Sequence, residues 1–273
     1  MPLTQHHRAA FTTWYCILFY VLMMQKAWNG MFLFQLKPHI FNNRFDMVTW
    51  LLMKTGIHTW LVDNSTGWII FDLAFYAMPL LFWIVFRKAP KAASILSFVM
   101  LIINFVYVEC YTLYPVNSIE SFTPWLLFPF LFMTQTLSGF YFVLNGLRYF
   151  LLYFFVSAAI WKIIQHGLFN PSEMSGILLY QHKEFLVSSP GSWYTSFIYW
   201  LVRYQAISYI LYLSATIFEF SFVVGFFTKK YDHVLVAIFF LFIVMDILIM
   251  RISYWEISPF ILTLIFAKKK GEI

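Results

Sequence analysis

The sequence predicts an all-α protein: a polytopic transmembrane helical bundle of about eight spans, with interfacial helices on its non-cytoplasmic side. Three observations carry that reading. Apolar residues make up 62% of the 273 positions and charged residues only 11%, against about 45–50% and about 25% in soluble domains. The mean hydropathy is +0.74. The apolar residues also gather in runs near the roughly 20 that a helix needs to cross a bilayer, with room for at most about eight such helices. This composition excludes a disordered chain, a soluble enzyme on one anchor and a nucleic-acid-binding domain. The formal charge of +6 comes from residues between apolar runs rather than from a basic domain. The whole chain, 1–273, reads as one integral membrane domain.

Charges and turn residues bound the runs at 11–34, 67–86, 93–114, 123–138, 144–165, 204–227, 233–252 and 255–267. The fourth and the last are short. The N-terminal MPLTQHHRAAF leads into a run without a small-x-small cleavage site, so the first span is expected to remain as an anchor. Pro79 should kink the second span, and Pro259 interrupts the start of the eighth. The polar-leaning stretches 35–66 and 166–203 hold apolar patches at 47–53 and 175–179. These are too short to span and are expected to lie as ordered interfacial or re-entrant caps. Arg8, Arg87, Lys88, Lys91, Lys229, Lys230 and the lysines at 268–270 all fall on one side of an eight-span path. The positive-inside rule makes that side cytoplasmic, which places both termini in the cytoplasm, and the expected membrane is a bacterial inner membrane. Tyr111, Tyr114, Trp125, Trp193, Trp200 and Trp255 suit the aromatic belts at the two interfaces.

A charge at the centre of a membrane helix costs at least roughly 2.5–3.5 kcal/mol and needs a partner or a wet cavity. Lys26, Asp72, Glu109, Lys162, Glu219 and Asp246 lie inside spans, and all but Glu219 fall in the outer half. Helical spacing groups them. Gln205, Tyr209, Tyr212, Thr216 and Glu219 form one stripe of the sixth span, and Asn104, Tyr107, Tyr111 and Tyr114 one stripe of the third. Asp246, Ser253 and Glu256 share a face, and Lys162, Gln165 and His166 cluster at the outer end of the fifth. Together they predict an outward-facing polar cavity. The plainer reading is that the stripes bond helix to helix, at about 0.6 kcal/mol per pair. From depth alone Lys162 is expected to pair with Asp246, since the two lie within roughly 5 Å along the membrane normal, with Glu219 deeper.

Other motifs are missing. Cys16 and Cys110 sit in apolar runs without metal or disulfide spacing. His39, His58, His166, His182 and His233 show no ligand spacing, so no metal site is expected; His182 and Glu184 form an isolated outer-loop pair. There is no nucleophile elbow, P-loop, GxGxxG or HExxH, and no pair of broken helices of the kind found in inverted-repeat transporters.

The run LRYFLLYFFVSAAIWKIIQHGLF (147–169) resembles a helix of the vitamin K-dependent γ-carboxylase-like, horizontally transferred transmembrane family. Ser157, Ala158, Ala159 and Lys162 stand at its small-residue and lysine positions. IFEFSFVVGFFTKKYDHVLVAIFFLFIVMDIL (217–248) resembles the family's next helix pair, with Glu219 at the acidic position, and the DoxX-like quinone-associated proteins share the pattern. The resemblance implies Lys162 as a base and a quinone as the cofactor or substrate. Trp161 replaces the family's second lysine, and the large extramembrane domain and the outer-loop histidine motif near 114–123 are missing. Peptide carboxylation is therefore not expected. The sequence thus points to a cavity that binds or modifies a lipid-soluble substrate such as a quinone. Lys162, Glu219 and Asp246 are the candidate catalytic residues, and Glu109, Tyr111, Gln205, Tyr209 and Tyr212 the candidate binding residues. The alternatives are a non-catalytic subunit of a larger membrane complex and a small-solute transporter. Membrane lipids are partners in every case, and whether the protein is an enzyme stays open.

Overall fold

A computed structural model describes residues 5–36, 47–112, 122–252 and 255–267, and every regular element among them is helical. Lipid offers no partner to a backbone N–H or C=O, so helices that satisfy their own ladders are the expected solution for so apolar a chain. Six are long and apolar enough to cross a membrane: His7–Gln35, Thr66–Lys88, Pro90–Tyr111, Leu137–Ile164, Gln205–Phe227 and Asp232–Met250. The other two expected spans are short helices, Thr123–Met133 and Trp255–Phe266. The chain divides into two compact units, Met1–Leu147 with Tyr254–Ile273, and Arg148–Ser253. Each unit has its own core. The lysines at 268–270 and residues Tyr114, His39 and Ser253 lie outside the described residues.

The first unit contains α1 (Gln5–Trp28), α2 (Met47–Thr55), α3 (Ile57–Asp63), α4 (Ser65–Lys88), α5 (Pro90–Thr112), α6 (Thr123–Met133) and the start of α7 (Leu137–Ile164). It closes with a 3-10 helix, Trp255–Phe260, that runs into α13 (Ile261–Phe266). Its core is aromatic. Phe11, Tyr15 and Phe19 recur every four residues on α1 and so share a face. They meet Trp125, Phe128 and Phe132 of α6, with ring centroids 5.5 Å apart for Phe11–Phe128 and 5.1 Å for both Tyr15–Phe132 and Phe19–Trp125. Trp125 and Tyr111, expected in an interfacial belt, are fully buried in this packing. Trp193 and Trp200 are exposed, as belt residues would be.

Two prolines interrupt helix ladders, and a neighbouring side chain repairs each gap. Pro79 sits inside α4, where its ring displaces the preceding turn. The Tyr20 hydroxyl of α1 enters that turn, donating to the Tyr76 carbonyl at 2.7 Å and accepting from Leu80 N–H at 3.2 Å. Pro129 has no N–H to offer the carbonyl of Trp125, four residues back. Asn104 supplies the bond instead, from Nδ2 at 2.8 Å. Each repair removes an unsatisfied polar group that would cost about 1–3 kcal/mol when buried.

The short helices run the length of longer ones. Ser94, Ser97 and Asn104 of α5 donate in turn to the carbonyls of Met133, Pro129 and Trp125, so α6 is antiparallel to α5. At one end of α6 Arg8 donates to the Phe132 and Thr134 carbonyls. At the other, the Lys26 ammonium lies 5.2 Å from the centroid of the Phe122 ring. The closing segment is likewise tied to both ends of α1, by Lys26–Glu256 at 2.5 Å and by Phe11–Phe266 rings 5.5 Å apart. Its first six residues are 3-10, which rises about 2.0 Å per residue against about 1.5 Å in an α-helix. Twelve residues thus cover roughly 21 Å, close to the roughly 22 Å of α1 between Phe11 and Lys26.

The second unit holds the rest of α7, then α8 (Glu173–Ser188), α9 (Trp193–Arg203), α10 (Gln205–Ser221), α11 (Val224–Phe227) and α12 (Asp232–Met245). A single π-helical turn, Asp246–Met250, continues α12. The patches at 47–53 and 175–179 both lie in ordered helices, α2 and α8. Leu178, Ile198, Leu201 and Ile249 form the centre of a core shared by α8, α9 and the π turn. Gly225 lets α11 press on α7, since a Cβ there would stand 2.5 Å from Leu152 Cδ2. At that end of the unit Arg148 makes two bonds to Asp232, Nε to Oδ2 at 2.8 Å and Nη2 to Oδ1 at 2.5 Å. Both residues are buried, and neither was among the interior charges expected from sequence.

Candidate functional site

The second unit gathers the candidate catalytic residues. Lys162 lies near the C-terminus of α7 and Glu219 near the C-terminus of α10. Lys162 Nζ stands 2.8 Å from both carboxylate oxygens of Glu219. This corrects the expected pairing with Asp246, and the reason lies in side-chain direction. Helical side chains lean towards the N-terminus of their own helix. Helices α7 and α10 run in opposite directions, so Lys162 and Glu219 lean towards each other across a depth gap that Cα positions alone make too large. Helix α12 runs the same way as α7, so the side chains of Asp246 and Lys162 lean in the same sense and do not converge.

Helix α10 is held in register by Tyr209, whose hydroxyl donates to the Leu168 carbonyl at 2.7 Å. Tyr212 places its ring 5.3 Å from the Lys162 ammonium. Its hydroxyl sits under Gly167, where an added Cβ would approach to 2.7 Å. The expected stripe therefore holds for Tyr209, Tyr212, Thr216 and Glu219. Gln205, at its N-terminal end, is exposed and takes no part. Gln165 and His166 are exposed as well, because the chain leaves α7 through His166 in a left-handed conformation, φ 59°. Of that expected cluster only Lys162 turns inward.

Asp246 opens the π turn and is within electrostatic range of both Lys162 and Glu219. Among the described residues its carboxylate makes no hydrogen bond. It stands in the wall of a half-open pocket of ≈ 70 Å³ lined otherwise by apolar and small residues, among them Leu211, Ala215, Phe218, Phe242 and Met245. That volume is several times the roughly 10–15 Å³ one water needs. A π turn spreads the ladder and commonly marks a functional position.

Helices α8 and α9 clamp the far end of this turn. The Tyr194 hydroxyl donates to the Ile249 carbonyl at 2.9 Å, and His182 Nε2 lies 2.8 Å from the same oxygen. Arg251, left-handed at φ 52°, ends the helix and lays its guanidinium 4.3 Å from the Phe185 ring. Burial pushes the Tyr194 phenol above its ordinary value, and Arg251 opposes that shift. His182 thus has a structural partner, whereas Glu184 is exposed.

The remaining candidates belong to the first unit. Glu109 accepts from Thr49 Oγ1 at 3.4 Å, and Tyr111 stacks on Tyr107 at 6.2 Å with the Lys26 ammonium 5.3 Å from its ring. Asp72 accepts from Tyr107 at 2.6 Å and from the N–H groups of Leu33 and Phe34, capping the 3-10 turn Leu33–Gln35. Lys26 pairs with Glu256. The interior charges expected to share one cavity therefore fall into two groups, one in each unit, and among them Asp246 alone lacks a hydrogen-bond partner among the described residues. Glu256, expected on one face with Asp246, belongs to the first unit, beyond the end of the helix at the left-handed Arg251. Three partnerships escaped the sequence reading: Arg148–Asp232, Lys26–Glu256 and the clamp on Ile249. Arg148 lies four residues inside an apolar run, and counting it with the interior charges was the available signal.

No group of three or more His, Cys, Asp or Glu among the described residues is placed to hold a metal ion. No protein-family model, curated protein or solved structure matches the chain.

Proposed function

We propose that this chain is an integral protein of a bacterial inner membrane and that its second unit binds one end of a lipid-soluble molecule in the pocket beside Asp246. The observation that carries the reading is a carboxylate without a hydrogen-bond partner among the described residues, in the wall of a pocket that is otherwise apolar apart from Ser214, with an ion pair next to it. Sites for lipid-soluble ligands combine an apolar lining with a few polar groups that fix orientation. The resemblance of 147–169 and 217–248 to carboxylase-like and DoxX-like helices adds a quinone or prenyl lipid as the first class to test. In this reading Lys162, held by Glu219, is the charge partner at the polar end, while Tyr212 packs beneath it.

In the same proposal the chain crosses the membrane eight times, with α8 and α9 as a cap on the outer side and both termini cytoplasmic. Two findings support it: α6 and the closing segment are tied to both ends of α1, and Lys229 and Lys230 fall on the Arg87 side only if α6 crosses. A cysteine placed at Lys230 should label only after the membrane is opened. Labelling in intact cells would reverse the orientation.

The pocket is tested by filling it. Protein extracted in mild detergent should retain a lipid-soluble molecule visible by mass spectrometry, and Ala215→Phe should lose it while remaining folded. Equal retention by both proteins would remove the pocket from the account. Obligate co-purification of other subunits with no retained molecule would favour the non-catalytic subunit.

A further inference from the structure

The charge balance in the second unit specifies what kind of ligand the pocket suits. Lys162 is one cation between two carboxylates, and it is committed to Glu219, whose two oxygens both lie 2.8 Å from Nζ. Asp246 is the surplus acid. Its surroundings are Phe218, Phe242, Met174, Met245 and Met250, a lining of aromatic faces and adaptable thioethers. Aromatic faces attract cations, most strongly when water is excluded, and thioethers mould to irregular apolar shapes. A carboxylate has only acceptor sites, so at Asp246 the carbonyl oxygen of a neutral quinone would face lone pairs with lone pairs, which leaves the Ser214 hydroxyl as the donor in the lining.

We propose that the pocket selects a lipophilic ammonium: an amine whose cationic head meets Asp246 while its apolar body lies against Phe218, Phe242 and the methionines and continues into the lipid. This rests on the pocket reading above and departs from the quinone suggested by resemblance. The pocket is half-open and small, so the head should be compact, with one ring or a few carbons entering. A charged hydrogen bond is stronger than a neutral one by enough to be read as about tenfold or more in affinity.

The test uses the full-length protein in lipid nanodiscs and three probes: 4-butylbenzylamine, the neutral 4-butylbenzyl alcohol, and a decyl-substituted benzoquinone. Titration calorimetry against empty nanodiscs removes simple partitioning. The amine should bind saturably to the wild type, the alcohol about tenfold or more weaker, and Asp246→Asn should weaken the amine by a similar factor without changing the thermal unfolding midpoint by more than a few degrees. Asp246→Glu should keep most of the amine affinity. Equal binding of amine and alcohol, or amine binding unchanged in Asp246→Asn, overturns the charge selection. Saturable binding of the quinone or the alcohol without the amine also overturns it and leaves the pocket reading standing. If none of the three binds above the empty-disc background, both fail.

Discussion

Arg148→Met should destabilise the protein strongly, at a cost on the order of 3–5 kcal/mol. Arg148 is 1% exposed and holds Asp232 through two nitrogens, with a longer contact to the Thr228 carbonyl at 3.4 Å. Removing the guanidinium leaves Asp232 buried without its counter-charge, and the partial positive charge at the start of α12 offsets only a fraction of that. The double variant Arg148→Met with Asp232→Asn should recover most of the loss, because a buried pair replaced as a pair is often close to neutral. Arg148→Lys should fall between them, since an ammonium cannot reproduce the two-pronged contact. Reversible unfolding in mixed micelles measures all three. A single variant within about 1 kcal/mol of wild type would show that the pair contributes little to holding α7 against α12.

The long helices were legible because their signal is local. A run of apolar residues is a sufficient reason for α4, α5, α10 and α12, and the expected boundaries differ little from the observed ones once α11 is counted with α10 and the π turn with α12. Helix α7 starts earlier than expected, at Leu137 rather than 144, because α6 already ends at Met133. The sequence offers only Thr134, Gln135 and Thr136 as punctuation there, and the aromatic run on either side masks it. The stripes on α5 and α10 were legible for the same reason, since helical spacing places Asn104, Tyr107 and Tyr111 on one face whatever that face meets.

What was not legible is which stripe meets which. The Lys26–Glu256 pair joins residues 230 positions apart, and no local pattern announces it. The side chains that repair the Pro79 and Pro129 gaps come from other helices, 56 and 21 positions from the carbonyls they serve. Burial of Trp125 and Tyr111 follows from packing on α1, whereas their position near the ends of apolar runs suggested an interface. Expecting one cavity also treated every interior charge as part of a common site. Asp72 is instead engaged in capping a 3-10 turn, a structural task that consumes its acceptors.

The choice of partner for Lys162 has a consequence that stability measurements can read. Lys162→Met strands Glu219, whose side chain is 5% exposed, beside a second carboxylate at Asp246, and should cost on the order of 3–5 kcal/mol. Adding Glu219→Leu should return most of that, because it removes the stranded carboxylate that made the single change costly. Adding Asp246→Leu instead should return little, since Glu219 would remain buried without a cation. Glu219→Gln alone should be the mildest of the set, at about 1–2 kcal/mol, because Lys162 still has Asp246 within electrostatic range and a hydrogen-bond acceptor in the new amide. Had Lys162 and Asp246 been the pair, the order of the two double variants would be reversed. Unfolding midpoints of the four proteins under one set of conditions decide between these orders, and recovery in the Asp246 double variant rather than the Glu219 one would overturn the pairing on which the site is built.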